Sequence, residues 1–214
     1  MTWINKYLTN DEMKKIEETI SRVEEETSGE IVPVIVKRSS AIGHVPLVLT
    51  LILTLVFVLA EIPYSDWLWV TPWVWMWFPV LIVIYGVSFF LAKLHWFQKV
   101  FVSEADEIAQ VHQRAQLEFY SNKIHRTEAG TGVLIFVSVM EKKAVILADE
   151  AISGKLPPDT WNNLLKDLRA SLHDGHWHAA FTKAIETCGQ HLKTHFPIAE
   201  TRKNQLKNHL VVKE

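Results

Sequence analysis

The hydrophobic pattern changes period several times along the chain, and each change marks an element. Met13, Ile16, Ile20, Val23 and Thr27 recur three or four residues apart among lysines and glutamates, the stripe of an amphipathic helix. Thr9 and Glu12 have capping-box spacing at its start, Leu8 is placed to staple onto Met13, and Gly29 to end the helix. In Glu30 to Val36 the β-branched residues Ile31, Val32, Val34, Ile35 and Val36 are nearly continuous, as in a strand covered on both faces. Pro33 has no N–H to give to a ladder, which predicts an edge position or a bulge. Further on, Ser103 opens a helix with Glu104, Asp106 and Glu107 in its first turns and a stripe of Ile108, Val111, Ala115 and Phe119, widened by Leu117, Tyr120 and Ile124. Gly130 and Gly132 precede a β-rich run, Val133 to Val139; Met140 to Lys143 reads as a turn and Ala144 to Ala148 as the partner strand. Pro157 and Pro158 open a helix with Trp161, Leu164, Leu165, Leu168 and Leu172 on one face, and His173 to Gly175 breaks it. A last helix carries Trp177, Phe181, Ala184, Cys188, Leu192 and His195 along one side until Pro197. From Arg202 the tail is basic and polar apart from Leu206, Leu210, Val211 and Val212.

A different pattern interrupts this series. From Ile42 to Ala60 the only strongly polar side chain is His44, and from Trp73 to Ala92 there is no charge. Each run matches the roughly 20 apolar residues that a helix needs to cross hydrocarbon. Lys37, Arg38, Lys93 and Lys99 flank the pair, whereas the connecting loop carries Glu61 and Asp66. The positive-inside bias then predicts two membrane spans with both flanks in the cytoplasm. Trp67, Trp69, Trp75 and Trp77 at the outer end, beside Trp73, and Trp96 near the inner one read as interface anchors. Thr50, Thr54, Tyr85 and Ser88, with His44, are the polar side chains within the runs, too few for an ion path, so the hairpin reads as an anchor.

The order is helix, strand, hairpin, helix, strand, strand, helix, helix. A single strand leaves its backbone groups unpaired, so Glu30 to Val36 must join the strands after Gly132. The expected organisation is one α/β domain in two pieces, residues 1–40 and 94–200, split by a transmembrane hairpin at 41–93 and followed by a tail at 201–214. The 214 residues carry a formal net charge of −2, a balance that argues against nucleic acid as a partner. The one cysteine, Cys188, excludes an intramolecular disulfide and suits a reducing compartment.

The local strings resemble the TPM domain family. They are Thr27-Ser28-Gly29-Glu30-Ile31-Val32-Pro33-Val34, His125-Arg126-Thr127, Thr131-Gly132-Val133-Leu134-Ile135-Phe136-Val137-Ser138, the Ala144 to Asp149 strand, and Ile185-Glu186-Thr187-Cys188-Gly189. The chain looks most like a membrane-inserted branch in which a hairpin splits the domain after its first strand. The resemblance covers about Thr9 to Pro197 and implies a mixed-sheet α/β sandwich. It also implies links to phosphatase activity in plant thylakoids, to calcium binding and to upkeep of membrane complexes, with LemA-type membrane proteins as neighbours of bacterial relatives. Where many relatives have a glycine-rich turn after the third strand, the expected place of an ion or phosphate site, this chain reads Ala148-Asp149-Glu150-Ala151.

No P-loop, dinucleotide fingerprint, nucleophile elbow or zincin motif occurs. Cys188, His191 and His195 share one helical face, a pattern a soft divalent metal accepts, but that face is also the apolar one. Glu24, Glu25, Glu26 and Glu30 near the first strand and Asp149 and Glu150 near a later one suit calcium or magnesium, or else a solvated face. Asp149 and Glu150 are the candidate catalytic pair. The sequence therefore predicts a non-enzymatic integral membrane module of a bacterial inner membrane, with two spans and both termini cytoplasmic. It would bind or organise a membrane protein partner, LemA-type included, or its own copies. A phosphatase dependent on a divalent cation and a metal sensor are the alternatives.

Overall fold

A computed structural model of the chain describes residues 3–40, 45–61, 77–92, 94, 103–127, 129–198 and 205–214. The capping box at Thr9 is formed, with Glu12 N–H donating to the Thr9 hydroxyl and the Glu12 carboxylate accepting from Thr9 N–H. It starts α1, Asn10–Glu24. The strand β1, Glu30–Val36, is buried along its whole length. It pairs in parallel with β2, Gly132–Ser138, so that Val34 lies opposite Phe136. The antiparallel strand β3, Lys143–Ala148, pairs with the other edge of β2. Part of the expected tail, Val211–Lys213, forms β4, which runs parallel to β1 and completes a four-stranded mixed sheet in the order β3-β2-β1-β4.

Strand alternation distributes the apolar side chains to two layers. Ile31, Ile35, Val133, Ile135 and Val137 face one cluster with Ile16 and Ile20 of α1, with α6 (Pro158–His173) through Leu164 and Leu168, and with α7 (Trp177–His195) through Phe181, Ile185 and Leu192. Val32, Val34, Val36, Leu134 and Phe136 face the other, against Val111, Ala115 and Phe119 of a helix spanning Glu104–Ser121. That is an α/β/α sandwich, and it explains why β1 reads as an unbroken apolar run. A carboxylate strengthens the second layer: buried Glu118 pairs with Arg114 at 3.2 Å and with Lys213 of β4 at 2.5 Å.

Two local expectations change. Pro33 lies in a central strand, not at an edge or bulge. Glu30 N–H and the Val36 carbonyl bond on the β2 side, so the alternate residues Ile31, Pro33 and Ile35 face β4. Because β4 begins opposite Val34, the absent N–H of Pro33 falls where no strand asks for it. Ile31 N–H, on that same side, donates to the Glu24 carboxylate at 2.8 Å. Gly29 does not end α1, which stops at Glu24. It is needed for close approach, since a Cβ there would lie 2.7 Å from Leu192 Cδ1.

By contact, the chain forms two compact units: residues 1–40 with 108–214, and residues 41–107. In the second, α2 (Val45–Glu61) and α3 (Trp77–Leu91) pack together, with Val45, Leu49 and Ala92 buried between them. Thr50 and Ser88 turn their hydroxyls back to the Pro46 and Ile84 carbonyls of their own helices. Here the membrane expectation fails. The two helices have 17 and 15 residues, about 25 and 22 Å at 1.5 Å per residue against a hydrocarbon layer of roughly 30 Å. Among the described residues no helix is long and apolar enough to cross a membrane. The expectation counted apolar residues, and a run of that length does not fix a helix of spanning length among the described residues. The two spans from Ile42 to Ala60 and Trp73 to Ala92 are withdrawn, and with them the integral-membrane and inner-membrane assignment and the cytoplasmic placement of the termini. Ile42, Trp67, Trp69, Trp73, Trp75 and Trp96 lie outside the described residues; Ala60 is near the end of α2, Trp77 opens α3, and Ala92 is buried just after it.

The tightest helix contact generates a test. A Cβ on Gly189 of α7 would lie 2.1 Å from Val23 Cγ1. Gly189→Ala is expected to cost about 1–3 kcal/mol in urea unfolding, and adding Val23→Ala should recover most of it.

Candidate functional site

Of the residues predicted to carry chemistry, Asp149 caps the four-residue helix α5, Glu150–Ser153. Its Oδ1 accepts Glu150 N–H at 2.8 Å, and its Oδ2 is buried with no hydrogen-bond partner among the described residues. Glu150 is exposed. Glu30 sits at the same end of the sheet, with β2 between them, since Gly132 is opposite Glu30 and its carbonyl accepts Asp149 N–H. Glu24 and Glu30 are both buried and hold main chain: Glu30 accepts from Gln205 N–H at 3.3 Å, as Glu24 does from Ile31. Glu25 and Glu26 are exposed, and Glu26 pairs with Lys193 at 2.9 Å.

The helical trio separates by burial. Cys188 is wholly buried in the core, and burial pushes its thiol up to about 12, which keeps it protonated. His191 lines a groove between α6 and α7 with Asp167 and Lys183, and His195 is exposed. Among the described residues no three His, Cys, Asp or Glu side chains gather in a way that could hold a metal ion.

Two features escaped the sequence reading. The first is a cleft of about 390 Å³ at the end of β2, between the β2–β3 turn, the α6–α7 junction and the start of the chain. Tyr7 and Trp177 form an aromatic wall, with ring centroids 4.7 Å apart, and Val137, Val139 and Leu172 add apolar surface. Lys142, Lys143, Arg169 and His173 also line it. They come as two sequence-local pairs, Lys142–Lys143 at the turn and Arg169–His173 one turn apart on α6, which only the fold brings together.

The second is a carboxylate clamp at the point where the first unit's chain departs. Glu141 accepts Ser39 N–H at 3.2 Å, Ser40 N–H at 3.0 Å, and the hydroxyls of Ser40 and Ser138 at 2.5 Å each. Ser39 also donates its hydroxyl to Ser138 at 2.7 Å. Burial pushes the Glu141 carboxyl up, but the bonds from Ser138, Ser40 and Ser39 outweigh it and leave the group below its ordinary value.

The inserted helices present apolar surface. Leu51 on α2 and Ile82 on α3 are each 70% exposed and Phe90 is 67% exposed, with Leu47, Leu55, Val83 and Phe78 similarly uncovered.

Residues 98–191 match a family model described as the TPM domain. The structure is similar to the NMR structure of the BA42 protein from the psychrophilic bacterium Bizionia argentinensis, with a TM-score of 0.62 and 21% identity over 99% of each chain. At that identity the likeness is one of fold. No curated protein matches the chain. The TPM resemblance therefore stands over residues 98–191 and the mixed α/β fold over the chain, whereas a membrane-inserted branch finds no support in either similarity.

The clamp makes a pH prediction. Because the folded-state value of Glu141 is depressed, its contribution is present above the ordinary carboxylate range and lost as pH falls through the folded value. Glu141→Gln should lower the urea midpoint at about pH 7 and lower it less at about pH 3, because the stabilisation is lost progressively as pH falls toward the folded value. An equal loss at both pH values would assign the effect to packing.

Proposed function

We propose that this chain is a non-catalytic binding module: a TPM-type α/β domain whose inserted helical pair docks onto an apolar helical surface of another protein. A second copy of the chain is the simplest such partner. The observation that carries this reading is the row of large apolar side chains left uncovered on α2 and α3, among them Leu51, Ile82 and Phe90. Exposed apolar area of this kind is costly in water and marks interaction surfaces. It lies on regular helices, and docked helices bury such stripes by interdigitating side chains. Light scattering on the purified chain should show an assembly larger than the monomer. Leu51→Lys with Ile82→Lys should weaken association by at least about tenfold, because each places an unpaired charge in the buried centre. A wild-type chain that stays monomeric at every accessible concentration overturns self-association, and an assembly indifferent to the two lysines overturns the surface.

A second reading, a phosphatase dependent on a divalent cation, is favoured by one atom, the buried Asp149 Oδ2, with no hydrogen-bond partner among the described residues. An oxygen so placed attracts a hard cation. If calcium or magnesium binds there, millimolar salt raises the unfolding temperature of the wild type and leaves Asp149→Asn unmoved, and hydrolysis of a simple aryl phosphate tracks the same variant. An equal shift in both proteins removes the reading.

A further inference from the structure

We propose that the cleft at the β2–β3 turn binds a small aromatic carboxylate, its ring against Tyr7 and Trp177 and its anionic head toward Lys142 and Arg169. The volume, about 390 Å³, falls in the range of small-molecule sites. One wall is aromatic and tilted, suited to receive a flat ring by edge and face contacts. The charge is one-sided: Lys142, Lys143 and Arg169 line the cleft, and among the described residues none that lines it is acidic, in a chain whose net charge is −2.

Two carboxylates close in sequence make no ion pair with Lys142 or Arg169 among the described residues. Glu141, next to Lys142, directs its carboxylate to Ser39, Ser40 and Ser138. Asp174 lies 3.6 Å from His173, but both side chains are largely exposed to water. Neither Lys142 nor Arg169 makes an ion pair among the described residues. Arg169 donates one N–H to the Ala144 carbonyl at 2.8 Å, which fixes the guanidinium beside the cleft while its remaining donors stay available. Lys142 is held at φ 53°, a left-handed conformation that glycine or asparagine takes at lower cost. A lysine kept there at the expense of the turn fits a use for its charge.

The whole chain is titrated with 2-naphthoate, its neutral isostere 2-naphthamide and acetate, following the Trp177 indole N–H by NMR, assigned with Trp177→Phe. Naphthoate should shift that resonance and bind about tenfold more tightly than naphthamide, the worth of one or two partly exposed charge contacts, and acetate should bind more weakly than either. Lys142→Gly relaxes the turn and so keeps the fold. It should lose most of the preference for naphthoate, as should Arg169→Gln, while Lys183→Gln, in the separate α6–α7 groove, should lose none. Equal binding of acid and amide, a Lys142→Gly variant that binds naphthoate like the wild type, or shifts that bypass Trp177 would each overturn the proposal. The Leu51→Lys, Ile82→Lys protein should bind naphthoate normally, which separates this test from that of the helical surface.

Discussion

The parallel pairing of β1 with β2 is the constraint on which the rest of this structure depends. Val34 and Phe136 lie opposite each other although about a hundred residues of chain separate them. Before the insertion the chain supplies only one strand, and the strands that pair with it arrive later. On one side the partner is β2; on the other, β4 serves Val34–Val36 and the Glu24 carboxylate serves Ile31. The sheet therefore closes only after the last few residues are in place. Placing two helices inside the crossover costs little at equilibrium, because closure entropy grows only with the logarithm of loop length, about 0.6 kcal/mol per doubling. The cost appears as rate, since contacts so distant in sequence form late.

What could be read from the sequence follows from whether a signal is local. The Thr9–Glu12 box, the Ile16–Ile20 stripe and the β2–β3 turn each sit within a few residues and were legible, as was the need for β1 to find β2. Pro33 was misjudged because an edge position is only one way to excuse a missing N–H; a neighbour strand too short to reach it is another. Gly29 was misjudged for a related reason. It has the look of a helix stop, but its role is set by Leu192, far away in sequence and pressed against it. The three residues of β4 follow a basic, polar stretch and carry too little pattern to announce a strand. The apolar runs were the costliest misreading, because composition gives the length of a run and not the length of the helix within it.

The acidic residues show the same limit from the side of chemistry. Glu24, read from the sequence as a possible cation ligand, is held by the fold, as are Glu118 and Glu141. Glu24 takes the first N–H on the open side of β1, Glu118 joins a helix to β4 through Lys213, and Glu141 gathers the chain at its exit. A buried carboxylate must be paired, and in this protein the partners are main-chain amides, serine hydroxyls and basic side chains. Nothing in a linear sequence distinguishes such a carboxylate from one waiting for a cation. Cys188 is parallel: its spacing to His191 and His195 suits a metal, but its burial keeps the thiol protonated.

Removing these residues from the chemical inventory changes where function is sought. Two features of opposite kind then stand out, apolar side chains exposed on the inserted helices and cationic ones around an aromatic cleft in the α/β domain. The first is surplus hydrophobic area, which water penalises until another surface covers it. The second is surplus positive charge in a protein that is slightly acidic overall, assembled from positions that only the tertiary structure brings together. The two surfaces differ in chemistry, one apolar and one cationic, so a ligand suited to one is poorly suited to the other.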